Sequence, residues 1–63
     1  MAKLSKKLYI DYDKKADDLW IYTGEKVKIS QTFDDFIIDF DKNGQVIGIE
    51  ILNFHSLLKY VAK

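Results

Sequence analysis

Three groups of residues in this 63-residue chain could do chemistry by type and spacing. The first is acidic: Asp11, Asp13, Asp17 and Asp18 crowd one short stretch. Carboxylates gathered in this way suit a hard cation such as calcium or magnesium. The stretch lacks the D-x-D-x-D-G order and the distal glutamate of an EF-hand loop. Its expected role is therefore local, with Asp13 closing an Asx-type turn and Asp17 capping a single helical turn around Ala16. The second group is Asp39 with Glu50, since neighbouring carboxylates can divide acid and base roles when their surroundings push them apart. No apolar pocket is written around them, so both read as solvated. The third is His55, the sole histidine, beside Ser56. A single imidazole without cysteine makes a poor zinc site. Adjacent residues on a helix point in different directions, which excludes a Ser-His-Asp relay through Ser56. No catalytic residue, metal or cofactor is expected, and the chain reads as non-enzymatic.

The aromatic residues are candidates of another kind, and their placement depends on the elements that carry them. Ten basic and ten acidic residues cancel, which weighs against phosphate-driven nucleic-acid binding. There is no cysteine, so disulfides and thiolate metal sites are excluded, in keeping with a reducing cytoplasmic setting. Apolar runs are only a few residues long, too short to span a bilayer, and Met1 to Lys7 carries three lysines without a signal-like apolar stretch. Residues 1–6 read as a flexible arm, and 7–63 as a single domain.

Five segments have β character. Lys7 to Tyr12 sets Leu8, Ile10 and Tyr12 against Tyr9 and Asp11. Leu19 to Tyr22 sets Leu19 and Ile21 against Trp20 and Tyr22. Lys26 to Phe33 separates Val27, Ile29 and Phe33 from Lys26, Lys28, Ser30 and Thr32. Phe36 to Asp41 and Gln45 to Leu52 follow, joined by Lys42-Asn43-Gly44, the strongest turn signal in the chain. A one-residue slip sends a strand's apolar set to the wrong face, so parity tests the register. A two-residue loop at Asp34-Asp35 places Phe33 opposite Phe36 and Ile29 opposite Phe40. The next turn places Phe40 opposite Ile47, Ile38 opposite Ile49 and Phe36 opposite Ile51. A three-residue loop at Thr23-Gly24-Glu25 would set Ile21 against Val27 and Leu19 against Ile29. The tail repeats Phe54, Leu57, Leu58 and Val61 on one helical stripe. Asn53 or Ser56 is placed to cap it, and Lys59 and Lys63 suit its negative end. The fold class is α+β: an antiparallel β-meander of four to five strands with one C-terminal helix packed on the apolar face.

On the opposite face this register gathers Tyr9, Trp20 and Tyr22, with Lys28 beside Trp20 and Lys26 beside Tyr22. Exposed tyrosine and tryptophan favour protein interfaces, and rings interleaved with lysines also suit base stacking. The acidic residues Asp11, Asp39, Asp41 and Glu50 on the same face oppose phosphate. Tyr9, Trp20, Tyr22, Lys26 and Lys28 are thus the candidate interaction surface.

The run Tyr12-Asp13-Lys14-Lys15-Ala16-Asp17-Asp18-Leu19-Trp20-Ile21, followed by Ile37-Ile38-Asp39-Phe40-Asp41-Lys42-Asn43-Gly44 and Val46-Ile47-Gly48-Ile49-Glu50-Ile51-Leu52, resembles the YuzE-like family of short prokaryotic domains of unknown function. The likeness runs from about Leu8 to Leu58. It implies no established activity, and for some members an antitoxin-type role as partner of another small protein. A domain this small has little stability to spare, and strand five would be a hazardous bare edge if it ended the sheet. A homodimer is expected on those grounds. The functional expectation is a non-catalytic interaction module, as a homodimer or as partner to a small protein. The alternative is a weak single-stranded nucleic-acid binder using the aromatic and lysine face.

Overall fold

Alternating apolar and polar residues between acidic and glycine turns give five short strands in the computed structural model, which describes residues 7–61. They are β1 Tyr9–Asp13, β2 Asp18–Tyr22, β3 Ile29–Phe33, β4 Phe36–Phe40 and β5 Val46–Ile51, followed by helix α1 Phe54–Val61. Every pairing is antiparallel, giving the expected five-stranded α+β class with one C-terminal helix. The arm over residues 1–6 and Lys63 lie outside the described residues. No helix among the described residues is long and apolar enough to cross a membrane.

The turns follow from their side chains. Asp13 accepts the backbone N–H groups of Lys15 (3.0 Å) and Ala16 (3.3 Å), the expected Asx-type turn. Asp41 does the same between β4 and β5, accepting from Asn43 (2.8 Å) and Gln45 (2.9 Å), while Gly44 takes φ 79°. Asp34 turns β3 into β4 at φ 54°.

Across the sheet the order is β1-β2-β5-β4-β3, which departs from a sequential meander. The expected β2–β3 hairpin, with Ile21 on Val27 and Leu19 on Ile29, does not form. Instead β2 pairs with β5, as Leu19↔Ile51, Trp20↔Glu50, Ile21↔Ile49 and Tyr22↔Gly48. Residues 23–28 carry the chain past the end of the sheet to its far edge, so Lys26 and Val27 lie outside β3. Thr23 N–H donates to Ile47 O at 3.0 Å and Lys28 N–H to Phe40 O at 2.8 Å, fastening both ends of that crossing. The physical reason lies in β5. Its Val-Ile-Gly-Ile-Glu-Ile run is the longest strand and is rich in isoleucine, so a neighbour on both sides gains more than a local hairpin would. The bare edge feared for strand five is thereby removed.

The rest of the expected register is present: Phe33↔Phe36, Ile29↔Phe40, Ile38↔Ile49, Phe36↔Ile51, Tyr9↔Tyr22 and Asp11↔Trp20. One pair differs. Phe40 meets Val46 rather than Ile47, because the register shifts next to Asp39 and Phe40 and inserts an extra residue into β5.

Two rows of side chains therefore cross the apolar face, Tyr12-Leu19-Ile51-Phe36-Phe33 and Ile10-Ile21-Ile49-Ile38-Gln31. Among the described residues only one hydrophobic side chain is buried, Ile47 at 5% exposure. Helix α1 docks at the Tyr12 end of the first row, its Phe54 ring edge-on to Tyr12 at 6.2 Å. Phe54 and Leu57 are half-buried there, and Leu58 is exposed. The helix thus covers one corner of the face and leaves the edges open.

Candidate functional site

The three rings expected to share a face do so. Tyr9 and Tyr22 stack with centroids 5.5 Å apart, and Trp20 lies on Tyr22 at 3.9 Å. The polar tips of Trp20 and Tyr22 both find carboxylates. Trp20 Nε1–H donates to Asp39 Oδ2 at 3.2 Å, Ser30 Oγ donates to Asp39 Oδ1 at 2.6 Å, and Tyr22 O–H donates to Asp11 Oδ2 at 2.7 Å. That last bond holds the Tyr22 phenol above its ordinary range. Asp39, read from sequence as solvated, is the one buried polar side chain among the described residues, at 7% exposure. Two donors compensate its burial. Gly48 makes the arrangement possible, because it sits between Tyr22 and Asp39 in their row and leaves room for the indole to cross. Glu50 lies opposite Trp20, and its carboxyl is pushed up by burial and then by the nearby charge of Asp18.

Lys26 and Lys28 are not the neighbours of these rings. The β2–β5 pairing puts Glu50 and Gly48 where those lysines were expected, beside Trp20 and Tyr22. The two lysines instead line an open groove of about 630 Å³ with Lys42, Glu25 and Asp41, past the end of the sheet at which Tyr22 lies. The rings and the lysines are therefore not interleaved across one strand pair as expected.

A third arrangement was not foreseen. Asp17 sits at φ 57° and reaches across to α1. Its backbone carbonyl accepts from Phe54 N–H at 2.9 Å, and its Oδ2 accepts from His55 N–H at 3.0 Å. Its Oδ1 accepts from Tyr12 O–H at 2.7 Å and lies 2.7 Å from His55 Nδ1, which is itself 3.1 Å from the Tyr12 oxygen. Asp17 thus caps α1 from a distant turn and does not cap a helical turn at Ala16. Asn53 does stand at the cap position, at φ 52° with its carbonyl accepting from Leu57 N–H at 3.2 Å, while the side-chain cap comes from Asp17. The sequence held one signal, a capping aspartate in the first turn, but the helix it caps is distant in the chain. Among the described residues no three His, Asp or Glu side chains converge as a metal site would require.

These bonds set a pH window. The Tyr12 and His55 hydrogen bonds pull Asp17 down from 3.8 to about 2, and the bond to Asp17 pushes Tyr12 up from 10.0 to about 12. A depressed carboxylate stabilises above its unfolded value and loses that contribution as pH falls through the folded one. A raised phenol does the reverse, contributing below 10.0 and losing it as pH climbs through about 12. Helical circular dichroism should be flat between those limits and fall at both ends. A signal unchanged at pH 2 would contradict the clasp.

A five-stranded antiparallel sheet with two sharply different faces and one short helix defines a small α+β domain. Residues 9–54 match the DUF2283 model, described as a protein of unknown function, and the chain belongs to that family. It is also 52% identical over 52 residues to uncharacterized protein MJ0789 of Methanocaldococcus jannaschii. That match takes in 81% of this chain and 45% of the relative, so the chain spans about half the relative's length. No solved structure matches the chain.

Proposed function

We propose that this domain is a small, non-catalytic protein-interaction module that works through its apolar sheet face. The observation carrying the reading is that edge residues on that face remain open: Ile10 at 66% exposure, Ile29 at 54% and Phe33 at 54%. An apolar patch of this kind, continuous across five strands, marks an interaction surface more often than a free one. The rings of the opposite face are better explained by their own stacking and by Asp39. The YuzE-like motifs extend the reading to an antitoxin-type role in the cytoplasm, beside another small protein.

The experiment compares capture from native lysate by the wild type, by Ile29→Glu and by Tyr9→Ser. Loss of a specific band in Ile29→Glu alone supports the apolar face. Loss in Tyr9→Ser alone returns the function to the aromatic face, and a band indifferent to both overturns the proposal.

A further inference from the structure

The apolar face has a property beyond its exposure: along the Tyr12-to-Phe33 row its two ends differ in shape, while the Ile10-to-Gln31 row is aliphatic up to Gln31. One half, β3 and β4, carries the bulky rings Phe33, Phe36 and Phe40. The other, β1 and β2, carries the aliphatic Ile10, Leu19 and Ile21 apart from Tyr12, which α1 partly covers. Between them runs β5, the central strand. No charged residue occupies either row across this face.

We infer that the occupant of this face is a second copy of the chain, packed sheet on sheet about a two-fold axis running along β5. This identifies the partner and rests on the interaction reading above. Such an axis lays Phe36 and Phe33 of each copy over Leu19 and Tyr12 of the other, and Ile38 over Ile21. It also carries the α1 corner of one copy to the Phe33 end of its partner, so the exposed Leu58 of one copy approaches the exposed Phe33 of the other. An isologous contact needs this self-complementarity, and the absence of charge removes the usual desolvation cost of burying a sheet face. Area is sufficient as well. At roughly 100 Å² for each half-exposed large side chain, the face approaches the ~800 Å² per partner that a standard interface buries.

The test is sedimentation equilibrium of the full chain, from low to high micromolar, with an apolar-surface dye measured in parallel. The wild type should sediment as a dimer. Gln31→Lys should raise its dissociation constant at least about tenfold, since it places a charge over the partner's Ile10. Gln31 is already polar and exposed, so this variant leaves the monomer folded. Ile29→Glu should be monomeric, with unchanged Trp20 fluorescence showing that the sheet is intact. Tyr9→Ser, on the other face, should remain dimeric. A wild type monomeric throughout, or a dimer indifferent to Gln31→Lys and Ile29→Glu, overturns the inference. If the monomer binds dye and Ile29→Glu reduces that binding, the proposed interaction face survives without self-association. A monomer that binds no dye removes both.

Discussion

Gly48→Ala should lower the unfolding free energy by about 1–3 kcal/mol, the cost of adding a methyl to a filled space. The residue has ordinary strand geometry, so the effect is steric and not one of backbone freedom. A Cβ there would stand 2.9 Å from Asp39 Oδ2, 3.3 Å from Tyr22 Cβ and 3.4 Å from Trp20 Nε1. None of these yields cheaply. Asp39 is held by two hydrogen bonds, and the indole is held by Tyr22 below and Asp39 at its tip. Alanine's better strand propensity, roughly 0.5–1 kcal/mol, offsets part of the clash and does not reverse it. For a domain of this length, whose total stability is on the order of 3–9 kcal/mol, the change is large. Urea midpoints measure it, and Gly44→Ala is the comparison. Gly44 has φ 79° and open space around it, so its penalty is conformational and leaves Trp20 fluorescence unmoved. A Gly48→Ala protein as stable as the wild type would show that Asp39 and the rings are not fixed as described.

Asp17→Ala should detach α1 from the sheet. An eight-residue helix does not persist alone in water, so loss of its anchor becomes loss of helix. The substitution removes the acceptor of Tyr12 O–H, of the His55 ring and of the His55 backbone N–H together. It also forces alanine into the left-handed conformation that Asp17 tolerates. Asp17→Asn should fall between, because it keeps that tolerance and one acceptor oxygen. Helical circular dichroism read beside Trp20 fluorescence separates undocking from global unfolding. Full helical signal in Asp17→Ala would mean that Phe54 and Leu57 alone hold the helix.

Much of the architecture was legible before any coordinates. Alternation is local, so the face of each strand residue followed from its neighbours, and Asp34-Asp35 and Asn43-Gly44 set the β3–β4–β5 register to within one bulge. Strand order is a different kind of information. Placing β2 beside β3 or beside β5 keeps Leu19 and Ile21 on the same face, so parity is blind to the choice. What decides it is how much each strand loses as an edge. The candidate surface divided for that reason: Tyr9, Trp20 and Tyr22 came together through the β1–β2 pairing, while Lys26 and Lys28 had been placed by a hairpin that does not form. The clasp at Asp17 was illegible because a carboxylate finds a distant backbone N–H only after the sheet has placed both.

The central place of β5 also has a meaning in time. During synthesis the β1–β2 and β3–β4 hairpins emerge first, joined only by the crossing at residues 23–28. Isolated two-stranded hairpins are marginal in water. Until the last strand leaves the ribosome and inserts between them, neither has a sheet to join, and Leu19 must wait for Ile51. A chain whose longest-range pairing completes the whole should fold slowly for its size and almost all at once. A nascent chain stopped before Val46 would be two unstable fragments, open to proteolysis, rather than most of a domain.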